Sequence, residues 1–241
     1  MTIVATVVTA ILTFAALPAW ADAPNASQTV EIKGVRNPEL ASYRLMRAGL
    51  DAFDQYRELA PEAPELRYRL RGRSGVDTSL DGLQLKISGD NTSIELPLAA
   101  DHSFLLPRSR QAEDDNADLV LNRPKRDYRW WPDVHSPSVP ANMRRLGDLR
   151  LECQVLVAVA KEAIGFMTKA MINSLLLTSD WCGHAKVNIA TSVPRPLSKA
   201  TLLSGEQRIE LKITDKGYGF QPPLANQAYP DATLIELEYK N

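Results

Sequence analysis

Residues 122–145, NRPKRDYRWWPDVHSPSVPANMRR, concentrate the side chains best suited to hold a ligand. Tyr128, Trp130 and Trp131 offer flat faces that stack on sugar rings or bases. Arg126 and Arg129, with Arg123 and Lys125 beside them, offer donors for carboxylate or phosphate. Asp133 and His135 stand two apart, on one side of an extended chain, where a carboxylate can orient an imidazole. Arg126, Tyr128, Arg129, Trp130, Trp131, Asp133 and His135 therefore form the candidate ligand surface. Four prolines and little periodicity make the segment read as a long connection, an element that is often functional. The competing reading is packing. Tyr128 and Trp130 would point inward from an edge strand, Trp131-Pro132 would cover the sheet, and the arginines would be solvated. Adjacent residues of an extended chain point to opposite sides, so one of the two tryptophans is expected to be partly exposed unless a second layer covers it.

The same segment suggests a second class of function, a hydrolase acting on an envelope polymer. It would use His135 as base, Asp133 as its orienter and Ser136 or Ser138 as nucleophile. The familiar catalytic templates are missing: the chain has no G-x-G-x-x-G, Walker loop, H-E-x-x-H, G-x-S-x-G or S-x-x-K motif. Only three histidines occur, at 102, 135 and 184, and Cys182-Gly-His184 lacks a C-x-x-C partner, so neither a metal nor a cofactor is expected. The leading expectation is a non-enzymatic binding or structural protein whose partner is a cell-envelope glycan or another envelope protein.

Export is read from the start of the chain. Residues 2–21 carry no charge, and the apolar stretch at 3–17 has the length of a signal-peptide core rather than a membrane span. Pro18 breaks it, and Ala19-Trp20-Ala21 supplies the small residues of a cleavage site, so 1–21 reads as a signal peptide and the mature chain as starting at Asp22. The alternative frame, after Ala23, places Pro24 next to the cut, and no basic residue precedes the apolar run. An uncleaved anchor is the competing reading. A periplasmic or secreted location, with no anchor after cleavage, puts Cys153 and Cys182 where disulfides persist, and the two are expected to pair. Two separate buried thiols are the alternative.

The elements that must position these residues follow from composition and period. With 28 Lys+Arg against 29 Asp+Glu, a net charge of −1 excludes a strongly basic nucleic-acid binder, and 44% hydrophobic residues exclude a disordered chain. Asn37-Pro38 reads as a helix opening, with Tyr43, Met46, Leu50 and Phe53 as one apolar stripe ending near Leu59. From 66 to 121 the period changes to two, giving short strands at 66–70, 83–87, 93–96, 103–106 and 117–121. Asp101-His-Ser-Phe104 before Leu-Leu-Pro resembles a strand or two of the transthyretin-like and carboxypeptidase-regulatory-like sandwich modules, a likeness that implies a sandwich and no function. Residues 149–153 alternate as a strand, 155–177 read as a buried central helix, and strands return at 186–189, 207–213 and 233–239, with loops at 192–198 and 221–230.

The expected fold is therefore α+β, mostly antiparallel and sandwich-like, with one amphipathic N-terminal helix and one buried central helix. Its parts are a helix plus small sandwich at 22–122, a proline-, aromatic- and arginine-rich connection at 123–145, and a central helix with C-terminal strands at 146–241. These form either one domain or two.

Overall fold

Asn37 takes a left-handed backbone (φ 56°), and the chain then enters a strand rather than a helix. The structure is a computed structural model describing residues 35, 37–72 and 81–240; the expected signal peptide and the expected strand at 29–33 lie outside the described residues. Pro38–Ser42 forms β1 because its register with Asp118–Pro124 (β6) satisfies its backbone groups there. The helix opens only at Tyr43, after an extended Ser42, and runs as α1 over Tyr43–Gln55. Tyr43, Met46, Leu50 and Phe53 are buried along it.

The chain is mixed α/β, and among the described residues all sheet pairs are antiparallel. β1 and β6 are followed by β3 (Leu85–Ser88) and β4 (Ser93–Glu95) in a four-stranded sheet of order β1-β6-β3-β4. A second sheet orders β5 (Ser103–Phe104), β2 (Arg67–Gly72) and β7 (Tyr128–Asp133). These two sheets and α1 enclose one core, which includes Tyr68, Leu85, Ile87, Phe104 and Leu119. A short helix α2 (Arg110–Asp114), capped by the Ser109 hydroxyl, bridges them. The third sheet orders β11 (Gln207–Glu210), β10 (Leu197–Ser204), β14 (Leu234–Tyr239) and β8 (Met143–Arg145). The fourth orders β12 (Ile213–Thr214), β13 (Gly219–Phe220) and β9 (Thr191–Ser192). A second core, with Leu197, Leu202, Phe220 and Ile235, lies with these sheets.

The expected strand at 149–153 is helical. Leu146–Ala163 forms α3, which gives Leu151 and Val155 to the first core and Leu146, Leu149, Cys153 and Val157 to the second. Asp148, Arg150 and Glu152 are buried as well, each with a partner. Arg150 donates to the carbonyls of Leu224 (3.0 Å) and Asn226 (2.8 Å) and pairs with Asp231. Asp148 accepts from Ser136, and Glu152 pairs with Arg144. Alternation of apolar and polar residues signals a half-exposed strand only when the polar side meets water, and here it meets the protein. α1 lies along α3, and Gly49 permits the approach: a Cβ there would stand 2.1 Å from the Tyr68 hydroxyl oxygen and 3.0 Å from Val155.

The single helix expected over 155–177 is broken. Ile164 and Gly165 are extended, and α4 (Phe166–Leu176) starts afresh, ending at Leu177 in the left-handed region. The chain returns through Cys182, which is disulfide-bonded to Cys153. The bond thus joins the middle of α3 to the segment after α4. Residues 186–189 form no strand, and β10 occupies residues expected to begin as loop. Among the described residues, no helix is long and apolar enough to cross a membrane.

Candidate functional site

The 123–145 connection is largely structured, and its centre is an edge strand. Among the described residues β7 pairs with β2 alone, in the register Arg67↔Asp133, Tyr68↔Pro132, Arg69↔Trp131, Leu70↔Trp130 and Arg71↔Arg129. Pro132 has no N–H to give a ladder, which an edge strand tolerates. Directly paired residues share a face, so the ribbon sorts its side chains cleanly. Tyr68, Leu70, Trp130 and Pro132 face the first core, where Phe104 meets Trp130 edge-on at 5.9 Å. Tyr128 is fully buried, so it offers no stacking face to a ligand. The opposite face carries Arg67, Arg69 and Arg71 from β2, with Arg129, Trp131 and Asp133 from β7.

Around that face three guanidinium groups meet three carboxylates. Arg69 Nη2 donates to Asp133 Oδ2 at 2.7 Å and to Asp101 Oδ2 at 2.8 Å. Arg71 Nη1 donates to Ser192 Oγ of β9 at 3.0 Å. Arg144 Nη2 donates to Glu152 Oε1 at 2.7 Å and to the Val134 carbonyl at 3.1 Å. Burial pushes the Glu152 carboxyl above the usual range, against the pull of Arg144. Burial also pushes the Arg71 guanidinium down to about 10. With Arg129 on the same face, and Arg67 paired with Glu65, the guanidinium groups around this face outnumber the carboxylates by one.

Four donors here are buried without a partner in the protein: Arg69 Nε, Arg71 Nε, Arg144 Nε and Trp131 Nε1. Leaving such a group unpaired costs on the order of 1–3 kcal/mol, so native interiors rarely keep several together. Trp131 is itself only partly buried, and Arg129 beside it is exposed.

The remaining candidate residues scatter. Arg126 sits exposed in the turn between β6 and β7, its backbone N–H donating to Glu39. His135 is exposed beyond the end of β7. Asp133 is engaged with Arg69, and Ser136 is fully buried with its hydroxyl donating to Asp148 Oδ1 at 2.7 Å. Ser138 bonds to Glu62. Among the described residues no hydrogen bond joins His135 to Asp133, Ser136 or Ser138. The residues of the hydrolase reading are thus each present but not assembled. Nor does any group of His, Cys, Asp and Glu among the described residues have the composition of a metal site.

Comparison with family models, curated proteins and solved structures finds no match. The site therefore rests on its own geometry.

Arg69, Arg71, Arg144, Glu152 and Ser192 were absent from the sequence candidates. The alternation of Arg67-Tyr-Arg-Leu-Arg71 does place three arginines on one strand face. What the sequence does not show is which strand pairs with it, and so that Trp131 lies beside Arg69.

Proposed function

We propose that this chain is an exported, non-enzymatic binding protein of the cell envelope that holds an acidic glycan on the face of Trp131, Arg69, Arg71 and Arg129. The observation that carries the reading is the partly exposed Trp131 ring standing with exposed Arg129 and with Arg69 and Arg71 on one sheet face. Carboxylate or sulfate oxygens of a sugar polymer accept from guanidinium groups that reach solvent, such as the exposed Arg129, and the partly exposed Trp131 ring offers a stacking surface for the sugar. The excess positive charge favours an acidic over a neutral polymer. The uncharged apolar stretch at 3–17 and the Cys153–Cys182 disulfide support export. We read the first two sheets with their shared core as sandwich-like, a scaffold on which β2 and β7 offer a rigid platform.

The test is retention on an immobilised uronate polymer beside a neutral dextran control. The wild-type protein should be retarded on the acidic matrix without releasing reducing ends. Trp131→Ala should weaken retention by roughly tenfold, the scale of one lost stacking contact, while costing at most about 2 kcal/mol of stability, below the ~3–5 kcal/mol of a core truncation. Equal elution of wild type and variant would overturn the proposal. Release of reducing ends that disappears in His135→Ala would replace it with the hydrolase.

A further inference from the structure

α4 differs from α1 and α3 in having no buried residue, and it contributes to neither core. Lys169, Ile172, Asn173 and Leu176 are part-buried on its inner side, whereas Met167, Met171 and Leu175 are 78, 66 and 81% exposed. At about 100° per residue these three share one outward stripe, on which the two thioethers stand one turn apart. The mount beneath is fixed without them. The Cys153–Cys182 disulfide ties the return segment to α3, Trp181 Nε1 donates to Asn173 Oδ1 at 2.8 Å, and Lys161 Nζ donates to the Ser179 carbonyl at 2.5 Å.

Methionine ordinarily fills gaps in a core, where its sulfur is out of reach. Met46 of α1 does so at 4% exposure, and Met143 of β8 is part-buried. Met167 and Met171 fill no such gap, so their sulfur atoms stay open to reagents in water. An oxidant must bring its oxygen onto a sulfur lone pair, and the rate therefore follows exposure. The other readily oxidised groups among the described residues are less open. Both cysteines are already paired and are buried, and Trp130, Trp131 and Trp181 are part-buried. With a hydroperoxide the chemistry is a single oxygen transfer. The O–O bond breaks, the terminal oxygen bonds to sulfur, and its proton leaves with the remaining fragment as water or an alcohol. Sulfur loses two electrons and the peroxide gains them. The sulfoxide is polar, which would break up a core. On α4 it changes two of the three stripe residues and no packed contact of either core.

We propose that Met167 and Met171 form a paired oxidation site for hydroperoxides, whose modification turns the outward face of α4 from apolar to polar on a protein that stays folded. The proposal is independent of the glycan reading, since it uses none of the β2–β7 face.

The experiment treats the purified, disulfide-bonded protein with hydrogen peroxide and follows each methionine by peptide-mapping mass spectrometry. Met167 and Met171 should each take up one oxygen, roughly tenfold faster than buried Met46 and several-fold faster than Met143. The doubly oxidised protein should elute earlier from a phenyl matrix while its Tm stays within about 2 °C of the untreated protein, as for a surface change. Met167→Leu/Met171→Leu keeps the stripe apolar and removes both sulfur atoms. Its retention should match that of untreated wild type and should not move with peroxide. Oxidation of Met46 or Met143 as fast as the pair, or no oxygen uptake by the pair, overturns the proposal. So does a fall in Tm of roughly 5 °C or more on double oxidation, which would mean that the stripe supports the fold. An equal loss of retention in Met167→Leu/Met171→Leu would place the change elsewhere and overturn it as well.

Discussion

Replacing Arg71 with methionine should separate binding from stability, because the two effects have opposite signs. Its guanidinium is held at about 10 by burial, with Arg69 and Arg144 adding repulsion and Glu152 and Asp133 partly offsetting it. At about 1.4 kcal/mol for each pH unit, that depression corresponds to roughly 3 kcal/mol of unfavourable burial of the charged form. The substitution also gives up the charged hydrogen bond from Nη1 to Ser192 Oγ, worth about 1.5–3 kcal/mol. Arg71→Met should therefore leave the free protein between about 0 and 2 kcal/mol more stable than wild type, with a methylene stem of similar reach filling the site. The sign with pH follows from linkage. Folded and unfolded chains are both protonated at Arg71 well below pH 10, so the difference should be the same at pH 6 and pH 8. As pH rises through about 10 the folded wild type sheds its proton first, and its disadvantage should shrink. Urea titrations give the number, provided the slope m is unchanged. Retention on the uronate matrix should meanwhile fall by roughly tenfold for loss of one charged contact. A destabilisation of 2 kcal/mol or more would refute the reasoning and make Arg71 a tie between β2 and β9.

Replacing both Cys153 and Cys182 with alanine opens a loop of 29-residue separation, and the loop-entropy relation gives a loss of about 3–4 kcal/mol by thermal or urea unfolding. Thiol titration of the unreduced, denatured wild type should find no free thiol. Arg150→Ala leaves the Leu224 and Asn226 carbonyls without their donor and Asp231 without its partner. It should cost about 3–5 kcal/mol and speed amide exchange across residues 222–231, which hydrogen-exchange mass spectrometry reads directly. Gly49→Ala forces a methyl group to within 2.1 Å of the Tyr68 hydroxyl, so α1 must shift from α3 at a cost of about 1–3 kcal/mol, seen as a lowered Tm.

What could be read from the sequence was mostly what local period determines. The stripe of Tyr43, Met46, Leu50 and Phe53 lies buried on a helix, and the period-two runs near 67–72, 85–88 and 118–124 are strands in antiparallel sheets. Period fails where tertiary partners replace water. Arg150 and Glu152 read as an outward strand face because burial of such residues needs Asp231 and Arg144, which lie far off in sequence or on another element. The opposite error occurred in α4. Phe166, Met167 and Leu175 read as core because apolar residues usually are, and only the break at Gly165 shows that they stand outside it. At the candidate site, the inward and outward division of Trp130 and Trp131 follows from strand alternation, but the arginines facing Trp131 required the register of a strand sixty residues away.

If the chain is exported as we propose, the position of α3 has a consequence for its passage across a membrane. Most of the first core is contributed by residues between Tyr43 and Val134, yet Leu151 and Val155 complete it. The second core draws on the same helix and closes only when Leu234–Tyr239 arrives. A chain stalled near residue 145 would thus present an unfinished hydrophobic surface; the first core can close once Val155 has emerged, and the second only when nearly the whole length has. During that interval Cys153 emerges well before Cys182, so the first thiol waits unpaired while almost thirty residues follow. Exported in this way, the chain would depend on holding factors and on thiol chemistry at the exit side more than on its own early folding.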